Sequence, residues 1–147
     1  MSAMPALRAH TLLVGGDDRP PVILVHGAAN SGHVSTFWQD ELARRGWSLH
    51  AIDLRDHGTS AAADLAITRM ADYVDDVIAF ARTLRQAPVL VGWSMGGLVA
   101  LMAAMRARLA SSSPPPVPDA GRHWHGRQAV AQAAVRRSSV LGRSLRG

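Results

Sequence analysis

The sequence predicts an α/β protein in three layers, a parallel sheet with helices on both faces. Three observations carry that expectation. Short β-branched apolar runs alternate with segments of helical spacing in the order βαβαβα, which leads to parallel strands with crossover helices. The runs from Pro21 to His26 and from Pro88 to Val91 are continuously apolar, as strands buried on both faces are. A glycine-flanked serine stands where the second of these runs passes into an apolar helix.

Taken in order, a short apolar piece at Thr11 to Val14 precedes the strand at Pro21 to His26. A helix is predicted from Thr36, where Thr36 and Gln39 have capping-box spacing, Trp38 and Leu42 share a face, and Gly46 is the stop. Trp47 to Leu54 reads as the next strand, ending in the polar turn Arg55 to Ser60. The following helix is marked by Val74, Val77, Ile78, Ala81 and Leu84 at helical spacing. Asp72, Asp75 and Asp76 lie early in it and Arg82 and Arg85 late, as the helix dipole favours. Pro88 to Val91 and Gly96 to Leu109 complete the series.

The 147 residues are 48% hydrophobic and 18% charged, the range of one globular unit. There is no Cys, hence no disulfide and no thiolate chemistry. The N-terminal stretch lacks the pattern of a secretion signal and the longest apolar run is too short for a membrane span, so a cytoplasmic protein is expected. The formal charge of +5 is unevenly spread. Residues 1–105 hold eight Arg against ten acidic residues, a net of −2, whereas 106–147 hold eight Arg against Asp119 alone, a net of +7. Four of the eight prolines fall within 111–118, which neither a helix nor a central strand accommodates. The division predicted is therefore a folded part at 1–109 and a Pro/Ser/Arg-rich tail at 110–147, expected to be disordered. A basic run of this kind is usually solvated, and no recognition motif accompanies it, so no nucleic-acid or membrane partner is expected. The abrupt change of composition is also what a reading-frame change in a GC-rich gene produces.

Gly92-Trp93-Ser94-Met95-Gly96 has the form G-x-S-x-G between strand and helix, the context that gives this motif meaning. Two glycines allow a sharp turn that lifts the Ser94 hydroxyl clear of the sheet. There the helix N-terminus and the Met95 N–H favour a developing oxyanion. His26-Gly27-Ala28-Ala29 follows the first long strand and is expected beside Ser94, with the Ala28 N–H as second donor. His26 is read as a turn-stabilising residue rather than a base, because no nearby carboxylate orients it.

Through PVILVHGAAN, AIDLRDHGTS and VLVGWSMGGLVALMAA, the chain from about Pro21 to Ala104 resembles the α/β-hydrolase superfamily, in its esterase, lipase and lysophospholipase-like group. The resemblance implies Ser94 as nucleophile, Ala28 and Met95 as oxyanion donors, a motif turn of Asp53 with His57, Gly58 and Ser60 in which Asp53 and His57 are structural, no cofactor, no metal and a small-molecule ester substrate. Serine at the nucleophile position argues against the dehalogenases and epoxide hydrolases of this fold, which use aspartate. Members of the superfamily continue for roughly another hundred residues, carrying further strands, the acid and the catalytic histidine. The expectation is thus a truncated domain, weakly active or inactive, with a non-catalytic binding module as the alternative. Asp119 with His123 or His125 has the right order for a substitute acid and base but sits on a core-free segment. The strand before Ser94 would be left with an open edge able to self-associate.

Overall fold

The computed structural model describes residues 7–15, 19–109 and 130–131. Strand β1 (Arg8–Leu12) is followed by β2 (Val22–Val25), a 3-10 turn (Gly32–Ser35), α1 (Thr36–Arg44) and β3 (Leu49–Asp53). Then come α2 (Met70–Thr83), β4 (Val89–Gly92), α3 (Met95–Leu109) and the two-residue β5 (Val130–Ala131). The sheet order is β1-β3-β2-β4-β5. The inner strands β3, β2 and β4 are parallel, with Val22 opposite both Leu49 and Val89.

Both outer strands depart from the purely parallel expectation. β1 pairs antiparallel with β3, Arg8 opposite Asp53 and Leu12 opposite Leu49, and is built from a more N-terminal and more polar segment than Thr11 to Val14. An edge strand needs only one apolar face, so its hydropathy is weak. β5 pairs antiparallel with β4, Val91 opposite Val130 and Leu90 opposite Ala131. The edge expected to be open is therefore covered at those two positions. The other residues of the tail, with Asp119, His123 and His125, lie outside the described residues.

Alternation along the strands sorts the side chains into two cores. Ile23, Val25, Ile52 and Leu54 pack with Tyr73, Val74, Val77, Ile78 and Ala81 of α2 and with Val99, Ala100 and Ala103 of α3. Val22, Leu24, Leu49, Ala51 and Val89 face the other way, against Leu42, Ala43 and Trp47. The helical stripe predicted for α2 is the one buried, and the sheet has helices on both faces.

Helix α1 differs in detail from its reading. Thr36 and Gln39 form no capping box: the Thr36 hydroxyl donates to the His33 carbonyl, while Gln39 is fully buried. Its Nε2 donates to the His10 carbonyl at 2.7 Å and its Oε1 pairs with His10 Nδ1 at 2.9 Å, tying α1 to β1. Trp38 is exposed rather than sharing the buried face with Leu42. The predicted stop holds: Gly46, at φ 84°, closes the helix with Gly46 N–H on Ala43 O and Trp47 N–H on Leu42 O, the two bonds of a Schellman end.

Candidate active site

Ser94 sits between β4 and α3 with φ 53°, a left-handed conformation that costs a residue bearing a Cβ about 1–2 kcal/mol. Strain of this kind persists where surrounding packing over-determines the turn. Here the packing is backbone on backbone. A Cβ on Gly92 would run into the Gly96 carbonyl and the Gly97 nitrogen, and a Cβ on Gly96 into the carbonyls of Val25 and His26. The Trp93 N–H donates to Val25 O at 3.3 Å, and the Ser94 carbonyl accepts from the Gly97 and Leu98 N–H groups at 3.0 and 3.3 Å. With Met95 the first residue of α3, its N–H has no acceptor within the helix, as at any helix start. Ser94 and Trp93 are both exposed.

The turn after β2 lies against this serine. A Cβ built on Gly27 would stand 3.1 Å from Ser94 Cβ and 2.9 Å from Trp93 Nε1, so only glycine allows so close an approach. Ala28 and Ala29 are exposed beside it, and Ala29 has φ 56°. His26 is buried, and both its ring nitrogens are engaged. Nδ1 bonds the Gly27 carbonyl at 2.7 Å and must therefore carry the proton, while Nε2 accepts the Leu54 N–H at 3.0 Å. Burial, reinforced by His57 with its ring 5.1 Å away, holds the His26 pKa below its ordinary value against the opposing pull of Gly27 and Asp53. A histidine so committed braces its turn and has no free nitrogen to take a proton from Ser94.

The turn after β3 is held by Asp53. Its carboxylate accepts the Gly32 N–H at 2.7 Å, the Thr59 N–H at 2.8 Å and the Thr59 hydroxyl at 3.0 Å. Burial pushes its pKa up, but these donors outweigh it and the carboxyl stays below its usual range. The Ser60 hydroxyl donates to Asp53 O at 2.6 Å and accepts the Arg8 N–H. Gly58, at φ 55°, leaves room that a Cβ would take from the Asp53 carboxylate. His57 Nδ1 bonds Arg55 O at 2.8 Å. These are supports of the loops around the serine.

One buried pair escaped the sequence reading. Asp76, assigned there to the helix dipole, is fully buried and takes Arg55 in a two-point bridge, Nε to Oδ2 at 2.6 Å and Nη2 to Oδ1 at 2.7 Å. Arg55 also donates to the Asp72 carbonyl. The signal available was the place of Asp76 between Tyr73 and Val77 on the apolar side of α2. Among the described residues no hydrogen bond joins the Ser94 hydroxyl to a histidine, no group of His, Asp and Glu is arranged to hold a metal ion, and no helix is long and apolar enough to cross a membrane.

A glycine-braced serine elbow at the end of a central parallel strand, with a second glycine turn against it, defines the class. The model of the alpha/beta hydrolase family matches residues 22–146, and the chain belongs to that family. The match runs past the Pro21 to Ala104 stretch that carries the recognisable motifs. Among solved structures, the chain is similar to an esterase from Exiguobacterium antarcticum, with 22% identity and TM-score 0.60 over 69% of this chain and 36% of that one. It is also similar to an esterase of a marine microorganism, with 25% identity and TM-score 0.57 over 69% and 38% of the two chains. A third similar structure is the bottromycin epimerase BotH in complex with bottromycin A2, with 29% identity and TM-score 0.57 over 67% and 38%. No curated protein matches the chain. The chain spans well under half the length of these structures.

Proposed function

We propose that this chain is a serine hydrolase acting on carboxylic esters of small molecules, with Ser94 as nucleophile. The observation that carries the reading is the left-handed, exposed Ser94 pressed against the Gly27 turn. Ser94 Oγ attacks the ester carbonyl and the alcohol leaves; water then hydrolyses the acyl-enzyme. The negative oxygen formed in each step is met by the Met95 and Ala28 N–H groups, a use of prepared dipoles that typically supplies about 10²–10³ in rate per donor. The similarity to a marine esterase at 25% identity supports the ester as substrate. The reading needs no cofactor.

The Ser94 hydroxyl has no histidine partner among the described residues, so turnover is expected to be slow, on the order of the 10³–10⁴-fold that remains when a triad member is removed. A second reading, a binding module without turnover, is favoured by the same lack of a partner for the hydroxyl. Relatives of the fold differ in chemistry, as the epimerase shows, so fold alone does not decide.

Hydrolysis of p-nitrophenyl acetate by the purified chain, beside Ser94→Ala under identical conditions, separates the two. Turnover lost in Ser94→Ala supports the hydrolase, and its further loss in His123→Ala or His125→Ala identifies the base. Equal, background rates in wild type and Ser94→Ala leave the binding module.

A further inference from the structure

The geometry points to His26 as a positioning residue for the reaction: its imidazole pins the Gly27 carbonyl so that the opposite end of the same peptide, the Ala28 N–H, is aimed at the oxygen that develops beside Ser94. The inference rests on the reading of Ser94 as the nucleophile.

One planar peptide unit links His26 to the oxyanion donor. Across a trans peptide the carbonyl and the following N–H point in opposite directions, and the described chain has no cis peptide. The Gly27 carbonyl is turned inward, onto Nδ1–H of the buried His26 at 2.7 Å. The Ala28 N–H therefore points outward, on the side where Ala28 and Ser94 are exposed, and no acceptor among the described residues takes it. Gly27 itself is the residue in contact with Ser94, with 3.1 Å from its built Cβ to Ser94 Cβ. The imidazole is in turn fixed by the Leu54 N–H on Nε2 at 3.0 Å, which ties the direction of the Ala28 N–H to the end of β3. A turn held only by its own backbone would leave this peptide free to flip, since Gly27 has no side chain to resist it. Donors aligned before the reaction are what make an oxyanion site effective, and a flipped peptide would present a carbonyl oxygen to the developing charge instead.

Two conservative variants split the two bonds of the ring. In His26→Asn the side-chain amide reaches where Nδ1 was and keeps a donor for Gly27 O. In His26→Gln the amide reaches where Nε2 was, and keeps an acceptor for Leu54 N–H while abandoning Gly27 O. The full chain, labelled with 15N, is measured for the residual dipolar coupling of the Ala28 N–H, referenced to the amides of β2, β3 and β4. In parallel, acylation of Ser94 by p-nitrophenyl acetate is followed for its rate and its KM. The expected result is an Ala28 coupling in His26→Asn equal to wild type and a changed one in His26→Gln, with the sheet amides unmoved in both. The acylation rate falls about 10- to 100-fold in His26→Gln at little-changed KM, and stays within about threefold in His26→Asn. Equal behaviour of the two variants, or an Ala28 coupling indifferent to both, overturns the inference. Absence of Ser94 acylation in wild type would count against the nucleophile instead, while the dipolar coupling still decides what His26 holds.

Discussion

Gly27 stands against Ser94 with no room for a methyl group: its Cβ would lie 3.1 Å from Ser94 Cβ and 2.9 Å from the Trp93 indole nitrogen. The turns that follow the adjacent parallel strands β2 and β4 thus meet at the serine. Gly27→Ala is expected to lower Ser94 acylation by at least tenfold while costing only about 1 kcal/mol of stability, because the exposed Trp93 side chain can move aside. Parallel acylation kinetics and urea unfolding check the pair of effects.

The glycines of the elbow make the contrasting case. A Cβ on Gly96 meets the Val25 and His26 carbonyls, and one on Gly92 meets the Gly96 carbonyl, all backbone atoms that cannot swing away. Gly96→Ala is therefore expected to cost at least about 3 kcal/mol, the upper part of the range for overpacking, or to abolish the folded state. Urea unfolding beside Gly27→Ala tests the difference: similar midpoints for the two variants would contradict it.

The Arg55–Asp76 pair is buried on the Asp side and nearly so on the Arg side, at 0% and 14% side-chain exposure. Removing one partner strands the other charge, so Asp76→Ala is expected to destabilise by about 3–5 kcal/mol. Arg55→Met with Asp76→Leu is expected to recover most of that loss, since a paired apolar replacement leaves no charge behind. Chemical denaturation of the single and double variants gives both numbers.

Acid should loosen the sheet ends through two histidines. His26 and His50 are both held below their ordinary pKa of 6.5, in each case chiefly by burial. Between their folded values and about 6.5 the unfolded chain binds protons that the folded chain refuses, so stability is full above about pH 6.5 and falls as the pH drops below it. Asp53, depressed below 3.8, adds a further loss only at more acidic pH. Urea midpoints measured from pH 8 to 4 are expected to decline from about pH 6.5 downward; a flat profile down to pH 5 would contradict the neutral, hydrogen-bonded state of the two rings.

Among the described residues the outer side of β4 is paired at two positions, and Leu98, Leu101, Met102 and Met105 form an exposed apolar stripe along α3. Exposed edges and stripes of this kind drive association. A concentration-dependent apparent mass in sedimentation at micromolar protein is expected; a monomer at all concentrations would contradict it.

What could be read from the residues divides along physical lines. The inner strands β2, β3 and β4 and the stripe of α2 were legible because burial on both faces, or at helical spacing, leaves an unbroken apolar pattern. The elbow was legible because only glycine fits at positions 92 and 96. β1 is not marked as a strand in the sequence because an edge strand buries one face and Arg8–Leu12 carries too little hydropathy to announce itself. Gln39 and Asp76 were missed because a polar side chain is assigned to solvent until its partner is known, and His10 and Arg55 are 29 and 21 residues away. β5 was missed because two residues make no pattern, and only the register to Leu90 and Val91 reveals them. The proposed chemistry rests on Ser94 and its backbone donors, which sequence context marks well, whereas a base is recognised only by its distance from the hydroxyl.

The central claim is that Ser94 is a nucleophile, and its most direct test is the covalent adduct. The chain is treated with a fluorophosphonate, which loses fluoride as the serine oxygen bonds to phosphorus, and the site is located by peptide mass spectrometry. One adduct is expected, on the peptide containing Ser94, lost in Ser94→Ala and formed more slowly in Gly27→Ala. No adduct at Ser94, or labelling that persists in Ser94→Ala, would contradict it.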